Sequence, residues 1–321
     1  MIKKELRLSN FLLVFTWFSL LQTRSNAALE PCPGQYCGRI IDKSGNIGYN
    51  CGACPRGYRT NGTVCLECTG SPDLYDWLYL GFMASLSLIF HGFFIDFFSK
   101  RDKKRIYVLY LSAFIESALA AIFSLLASEP QGSLGLTSCK SEQLADWYTI
   151  FFNPKPDYVN TLHCTQEAVY PLYTIVLVYY ALSVGLLFVF RPIISHQFCD
   201  GQGRPSIYAA LYFLPSLAVL HAIFSGLIYY SYPYATLVIS VLSTAAVLAK
   251  NEITHVRQLV SSKRHVIIII IHWLVHAYGI LAVTLVQDPT VHGPLFTLVL
   301  APVLFYLGTH SFTDPSKFKT T

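Results

Sequence analysis

Six cysteines fall between Cys32 and Cys68, after an apolar leader and before the first of several long apolar runs. Their pattern is Cys32-x4-Cys37-x13-Cys51-x2-Cys54-x10-Cys65-x2-Cys68. A module this small buries too little surface to fold on a core alone, so it needs covalent or metal staples. Two CxxC pairs fit a tetrahedral zinc ribbon in principle. A redox-active CxxC is a third reading, but Cys51-Gly-Ala-Cys54-Pro55 lies among loop-forming residues, not at a helix start. The compartment decides between them. Residues 1–27 have the layout of a secretory signal peptide: Lys3, Lys4 and Arg7, an apolar run from Phe11 to Leu21, then Ser25-Asn26-Ala27. Such a leader delivers the head to an oxidising space, where three disulfides within it are expected. The spacing does not choose their pairing. The alternative for the leader is an uncleaved anchor, for which the run is short against the roughly 20 residues of a span.

Downstream, the sequence predicts seven spans at about 74–98, 106–126, 170–190, 207–228, 232–249, 266–286 and 294–309. The last is short and contains Pro302, and Tyr229–Tyr234 leaves only a tight turn between the fourth and fifth. The chain is 53% hydrophobic and 13% charged, about half the charge of a soluble domain. The expected fold class is therefore an all-α polytopic membrane protein of about seven helices with a small disulfide-rich N-terminal module. The net charge of +5 carries no nucleic-acid signal, because its distribution follows topology. The domains are read as signal peptide 1–27, cysteine-rich lumenal head 28–73, membrane domain 74–309 with lumenal loop 127–169, and cytosolic tail 310–321. Segments 99–105, 191–206, 250–265 and the tail then face the cytosol. They hold thirteen Lys and Arg, including Arg191, Arg204, Lys250, Arg257, Lys263 and Arg264. The lumenal loops after the first span hold Lys140 and Lys155. That asymmetry obeys the positive-inside rule and agrees with a lumenal head.

Cys139 and Cys164 lie in the 127–169 loop, on the same side as the head, so eight cysteines are disulfide candidates. Cys199 falls on the other side, where a reduced thiol is expected. Asn61-Gly62-Thr63 is a glycosylation sequon inside the head. Four ionisable residues are the candidates inside the spans, where charge is costly and often functional: Glu116, His221, His272 and His276. His91 and Asp96 end the first span and are read as interfacial. His272 and His276 share a helix face, which admits an intramembrane metal hydrolase if Glu116 or His221 approached them. The plainer reading is interhelical hydrogen bonding plus one protonated or paired glutamate. No phosphate-binding loop or nucleophile elbow is present. A seven-span receptor is disfavoured, since the third span ends Phe190-Arg191-Pro192 and the seventh reads Pro302-Val-Leu-Phe-Tyr306.

Longer runs carry a family signature. They include Gly34-Gln-Tyr-Cys-Gly38, Cys51-Gly-Ala-Cys-Pro-Arg-Gly-Tyr-Arg-Thr-Asn61 and Ser71-Pro-Asp-Leu-Tyr-Asp-Trp-Leu-Tyr-Leu-Gly-Phe-Met83. They continue through Asp146-Trp-Tyr148, Glu167-Ala-Val-Tyr-Pro-Leu-Tyr-Thr-Ile175, Ser206-Ile-Tyr-Ala-Ala-Leu-Tyr-Phe213 and His276-Ala-Tyr-Gly-Ile280. Over about residues 32–318 the chain resembles the c-Jun N-terminal kinase-associated membrane protein family. The resemblance implies a multi-pass endoplasmic-reticulum protein without catalytic residues or cofactors. It implies partners too: the proteasome, a membrane-anchored RING ubiquitin ligase with degradation components for misfolded proteins, and c-Jun N-terminal kinase. Such partners are cytosolic, so the 250–265 loop and the tail are the expected docking surface. The leader lies outside the resemblance.

Overall fold

Hydrocarbon offers no partner to backbone N–H and C=O groups, so a long apolar run in a membrane closes its hydrogen bonds as a helix. The computed structural model, which describes residues 29–98, 103–152, 164–200 and 203–313, follows that rule. The long helices are α1 (Leu74–Phe98), α2 (Lys103–Ala127), α3 (Leu172–Cys199) and α4 (Arg204–Lys250). After the short α5 (Val256–Val260) come α6 (Lys263–Thr284) and α7 (Ala301–Thr313). The proposed signal peptide lies outside the described residues, as do Lys317 and Lys319 of the tail.

Among the described residues six helical segments are long and apolar enough to cross a membrane, against the seven runs expected. The difference is α4, which fuses the fourth and fifth runs into 47 residues. A straight helix of that length would run about 70 Å at about 1.5 Å per residue, more than twice a hydrocarbon core of about 30 Å, but α4 is two helices joined at a kink. Its one non-helical residue is Phe224 (φ −114°, ψ 17°), so the break divides it into 204–223 and 225–250, each long enough to span. No turn interrupts Tyr229–Tyr234. Pro233 has no N–H, so the Tyr229 carbonyl loses its helical partner. The Tyr75 hydroxyl of α1 donates to that carbonyl at 2.7 Å, and the helix continues. The break falls instead just before Gly226, where residues 144–148 of the loop pack against α4. A Cβ on Gly226 would stand 2.8 Å from the Trp147 Cβ and 2.9 Å from Leu144 and Tyr148 side-chain atoms, so only glycine admits the loop there.

Tyr75→Phe removes the donor and strands a buried carbonyl. The expected cost is about 1–3 kcal/mol, read as a lowered unfolding temperature in detergent.

The last span is longer than predicted. Residues 289–310 form one apolar helical unit in which a 3₁₀ stretch, Gly293–Leu300, leads into α7. Pro302 sits in the first turn of α7, where a missing N–H is tolerated.

The head departs from an all-helical description. β1 (Cys37–Ile41) pairs antiparallel with β2 (Ile47–Ala53), and β3 (Tyr58–Thr60) with β4 (Cys65–Glu67). Asp42 Oδ1 accepts from the N–H groups of Ser44 and Asn46, which closes the first hairpin. At the neighbouring end of α1, Tyr79, Trp147, Tyr229 and Tyr232 form a buried aromatic knot. The Trp147 and Tyr229 rings lie 4.8 Å apart and those of Tyr79 and Tyr229 5.1 Å apart. The knot ties α1, the loop and α4 together under the head.

Candidate functional site

All eight candidate cysteines are bridged, but not as three bonds within the head. Cys32–Cys51 and Cys54–Cys65 are internal to it. Cys37–Cys164 and Cys68–Cys139 cross to the loop between α2 and α3. The geometry accounts for this. Tyr36 and Cys37 are buried against Cys164 and Ala168, so β1 presents its first cysteine to the loop and not to β2. Each thiol of this set is consumed by a bond, which leaves no thiolate for zinc among them.

Polar contacts reinforce the staples. Asp146, buried in the loop, accepts from the Tyr36 hydroxyl at 3.0 Å and from Arg59 at 2.9 Å. It also accepts from the N–H groups of Glu142 and Gln143. Arg59 pairs in addition with Glu142 at 3.0 Å. Burial first, and the Asp146 carboxylate second, push the Tyr36 phenol up from its ordinary value. Glu167 closes the loop onto α3 by accepting from the Thr174 N–H at 2.9 Å. Burial raises its carboxyl above the usual range while the Thr174 bonds pull it back. Head and loop therefore form one cap over one end of the helices.

The four ionisable residues read from the spans are not brought together. Glu116 is salt-bridged to Arg191: Nε donates to Oε1 at 3.0 Å and Nη2 to Oε2 at 2.6 Å. Both side chains are buried, and the Ser112 hydroxyl adds a third bond to the carboxylate. Arg191 was expected at the cytosolic surface. α3 runs on past it to Cys199, which draws it inside. A lone glutamate in a span needs a cation, and Arg191 at the end of the third run was the signal available. His221 Nε2 meets the Tyr173 carbonyl at 3.0 Å and Nδ1 the Tyr79 hydroxyl at 3.2 Å. A carbonyl only accepts, so Nε2 carries the proton and Nδ1 accepts from Tyr79. His276 Nδ1 meets the Ser240 hydroxyl at 2.6 Å, and His272 Nδ1 donates to the Ile268 carbonyl at 2.8 Å. Among the described residues no group of three His, Cys, Asp or Glu could hold a metal. The four work singly as ties within and between helices.

On the side away from the cap, residues 250–265 are pinned by two apolar anchors. Ile253 and Leu259 are buried with Leu248, Ile269 and Val303. Between and beside them Lys250, His255, Arg257 and Lys263 remain exposed. The loop is thus a held basic surface.

The family model described as "JNK1/MAPK8-associated membrane protein" matches residues 32–315. The chain belongs to this family. The human and mouse JNK1/MAPK8-associated membrane proteins are each 47% identical to it over 294 residues, covering 89% of this chain and 94% of theirs. The homolog from Caenorhabditis elegans is 31% identical over 278 residues, covering 83% of this chain and 84% of its own. No solved structure gives a significant match. The JNK1/MAPK8-associated match begins at Cys32, so it takes in the whole disulfide cap together with the helices. The family's name describes a kinase-associated membrane protein and no reaction.

Proposed function

We propose that the chain is a non-enzymatic adaptor of the endoplasmic-reticulum membrane. Its cap lies in the lumen and its 250–265 loop and tail in the cytosol. There it docks c-Jun N-terminal kinase and recruits the proteasome and a membrane-anchored RING ubiquitin ligase for degradation of misfolded proteins. The observation that carries the reading is the near full-length match to relatives named for association with JNK1/MAPK8. Four disulfides on one side support an oxidising compartment there. With Arg191 removed from the count, the remaining Lys and Arg still favour the opposite side.

The cap's compartment has its own test. Asn61 is exposed between β3 and β4. Its Oδ1 accepts from the Thr63 N–H, the Thr63 hydroxyl and the Val64 N–H. The amide nitrogen, the atom a glycan takes, stays outside those bonds. Endoglycosidase treatment is expected to sharpen and shift the wild-type band, and Asn61→Gln to abolish the shift. A wild-type band that never shifts in cells argues against a lumenal, glycosylated cap.

The docking surface is tested by charge. Arg257→Glu with Lys263→Glu puts like charge against an acidic partner face, and kinase co-precipitation is expected to fall roughly tenfold. The cap's disulfides should stay intact. Undiminished recovery would remove this loop from the docking surface.

A further inference from the structure

A groove of about 710 Å³ runs between α1 and α4. Phe90, Phe94 and Phe98 line one wall at helical four-residue spacing. The other wall is a single stripe of α4: Arg204, Tyr208, Tyr212, Ser216 and Leu220. Phe213 forms the floor, stacked 5.5 Å from Phe90 and 5.6 Å from Phe94. The stripe is about 24 Å long at about 1.5 Å per residue, enough for an acyl chain through one leaflet of about 15 Å plus its glycerol and headgroup.

The two ends of the groove differ. Towards Leu220 it is apolar apart from Ser216, whose hydroxyl donates to the Tyr212 carbonyl at 2.7 Å. At the other end stand Arg204 and then Tyr208 and Tyr212, which are 64% and 77% exposed. Arg204 forms no salt bridge among the described residues, and it opens α4, where the helix dipole also favours an anion. Asp96, in the last turn of α1, is engaged by the Tyr110 hydroxyl of α2. An apolar trough ending in a cation and two phenol donors matches one class of molecule.

We propose that this groove binds an anionic glycerophospholipid. One acyl chain lies along the phenylalanine wall, the ester oxygens meet Tyr212 and Tyr208, and the phosphate meets Arg204. The site rests on the membrane-spanning assignment of α1 and α4 alone. It stands or falls separately from kinase docking.

The test uses the full-length protein in phosphatidylcholine vesicles doped with a photoactivatable acyl-diazirine lipid, either phosphatidylserine or phosphatidylcholine. Phosphatidylserine is expected to label peptides spanning 90–98 and 204–220 about fivefold more than phosphatidylcholine. Arg204→Gln, an exposed position, should erase that preference, lowering phosphatidylserine labelling to the level of phosphatidylcholine, whose choline already offsets its phosphate charge. Ser216→Trp, which fills the trough, should lower labelling by both lipids. Equal labelling by the two lipids would overturn the proposal, as would a preference that survives Arg204→Gln. Displacement by excess soluble glycerol phosphate would overturn it as well, since that assigns the site to a free phosphate.

Discussion

Arg191→Leu is expected to destabilise the membrane domain by about 3–5 kcal/mol, because it leaves Glu116 as an unpaired buried carboxylate. The pair is bidentate, with bonds of 3.0 and 2.6 Å, and both side chains are buried. Desolvating two ions offsets much of their attraction, so the pair itself adds little net stability. Breaking it is what costs. The double variant Glu116→Leu with Arg191→Leu should therefore recover most of the loss. Arg191→Lys should not, because an ammonium cannot reproduce the two-pronged geometry. The chain supplies its own reporter. Eight of nine cysteines are in disulfides and Cys199 is buried at the end of α3. A thiol-reactive dye in detergent then reads unfolding as Cys199 becomes accessible. A double variant less stable than either single one would contradict the assignment.

The second large effect is expected at Cys37–Cys164, which closes a separation of 127 residues. By loop entropy a bridge of that span restrains a soluble unfolded chain by about 5 kcal/mol, against about 3 kcal/mol for the 11-residue separation of Cys54–Cys65. Spans already held in a membrane lower the first figure, because insertion restricts the same ends. The double variant Cys37→Ser with Cys164→Ser avoids a stray thiol. It should leave the helices inserted and loosen the head, which stays tethered to the loop through Cys68–Cys139. Limited proteolysis on the cap side is expected to cut the variant's head at protease levels that spare the wild type. Equal protection would show that Cys68–Cys139 and the Asp146 contacts hold the cap without this bridge.

Local patterns in the chain already describe much of this. Each long helix covers an apolar run, and α4 covers two, since hydropathy acts residue by residue along a span. The eight cysteines separate from Cys199 by side, as disulfide chemistry requires. What could not be read are pairings between distant segments. Cys37 meets Cys164, and Glu116 meets Arg191, through helix packing that leaves no periodic trace. Arg191 looked like a topology charge because it follows the third apolar run, and only the extra turns of α3 bury it. The turn expected at Tyr229–Tyr234 failed for a related reason. Pro233 signals a break, but Tyr75, far away in sequence, satisfies the carbonyl that Pro233 strands. The real break at Phe224 depends on Gly226 admitting Trp147, again a long-range contact.

The cap and the basic loop lie at opposite ends of the helices, so an adaptor built this way meets its partners away from its disulfides. The most direct test fuses a proximity-labelling enzyme to the C-terminus and labels cells under protein-folding stress. Recovery of c-Jun N-terminal kinase, proteasome subunits and the RING ligase is expected. It should weaken when Arg257 and Lys263 are both changed to glutamate. Labelling that recovers lumenal chaperones and none of these cytosolic partners would contradict the account.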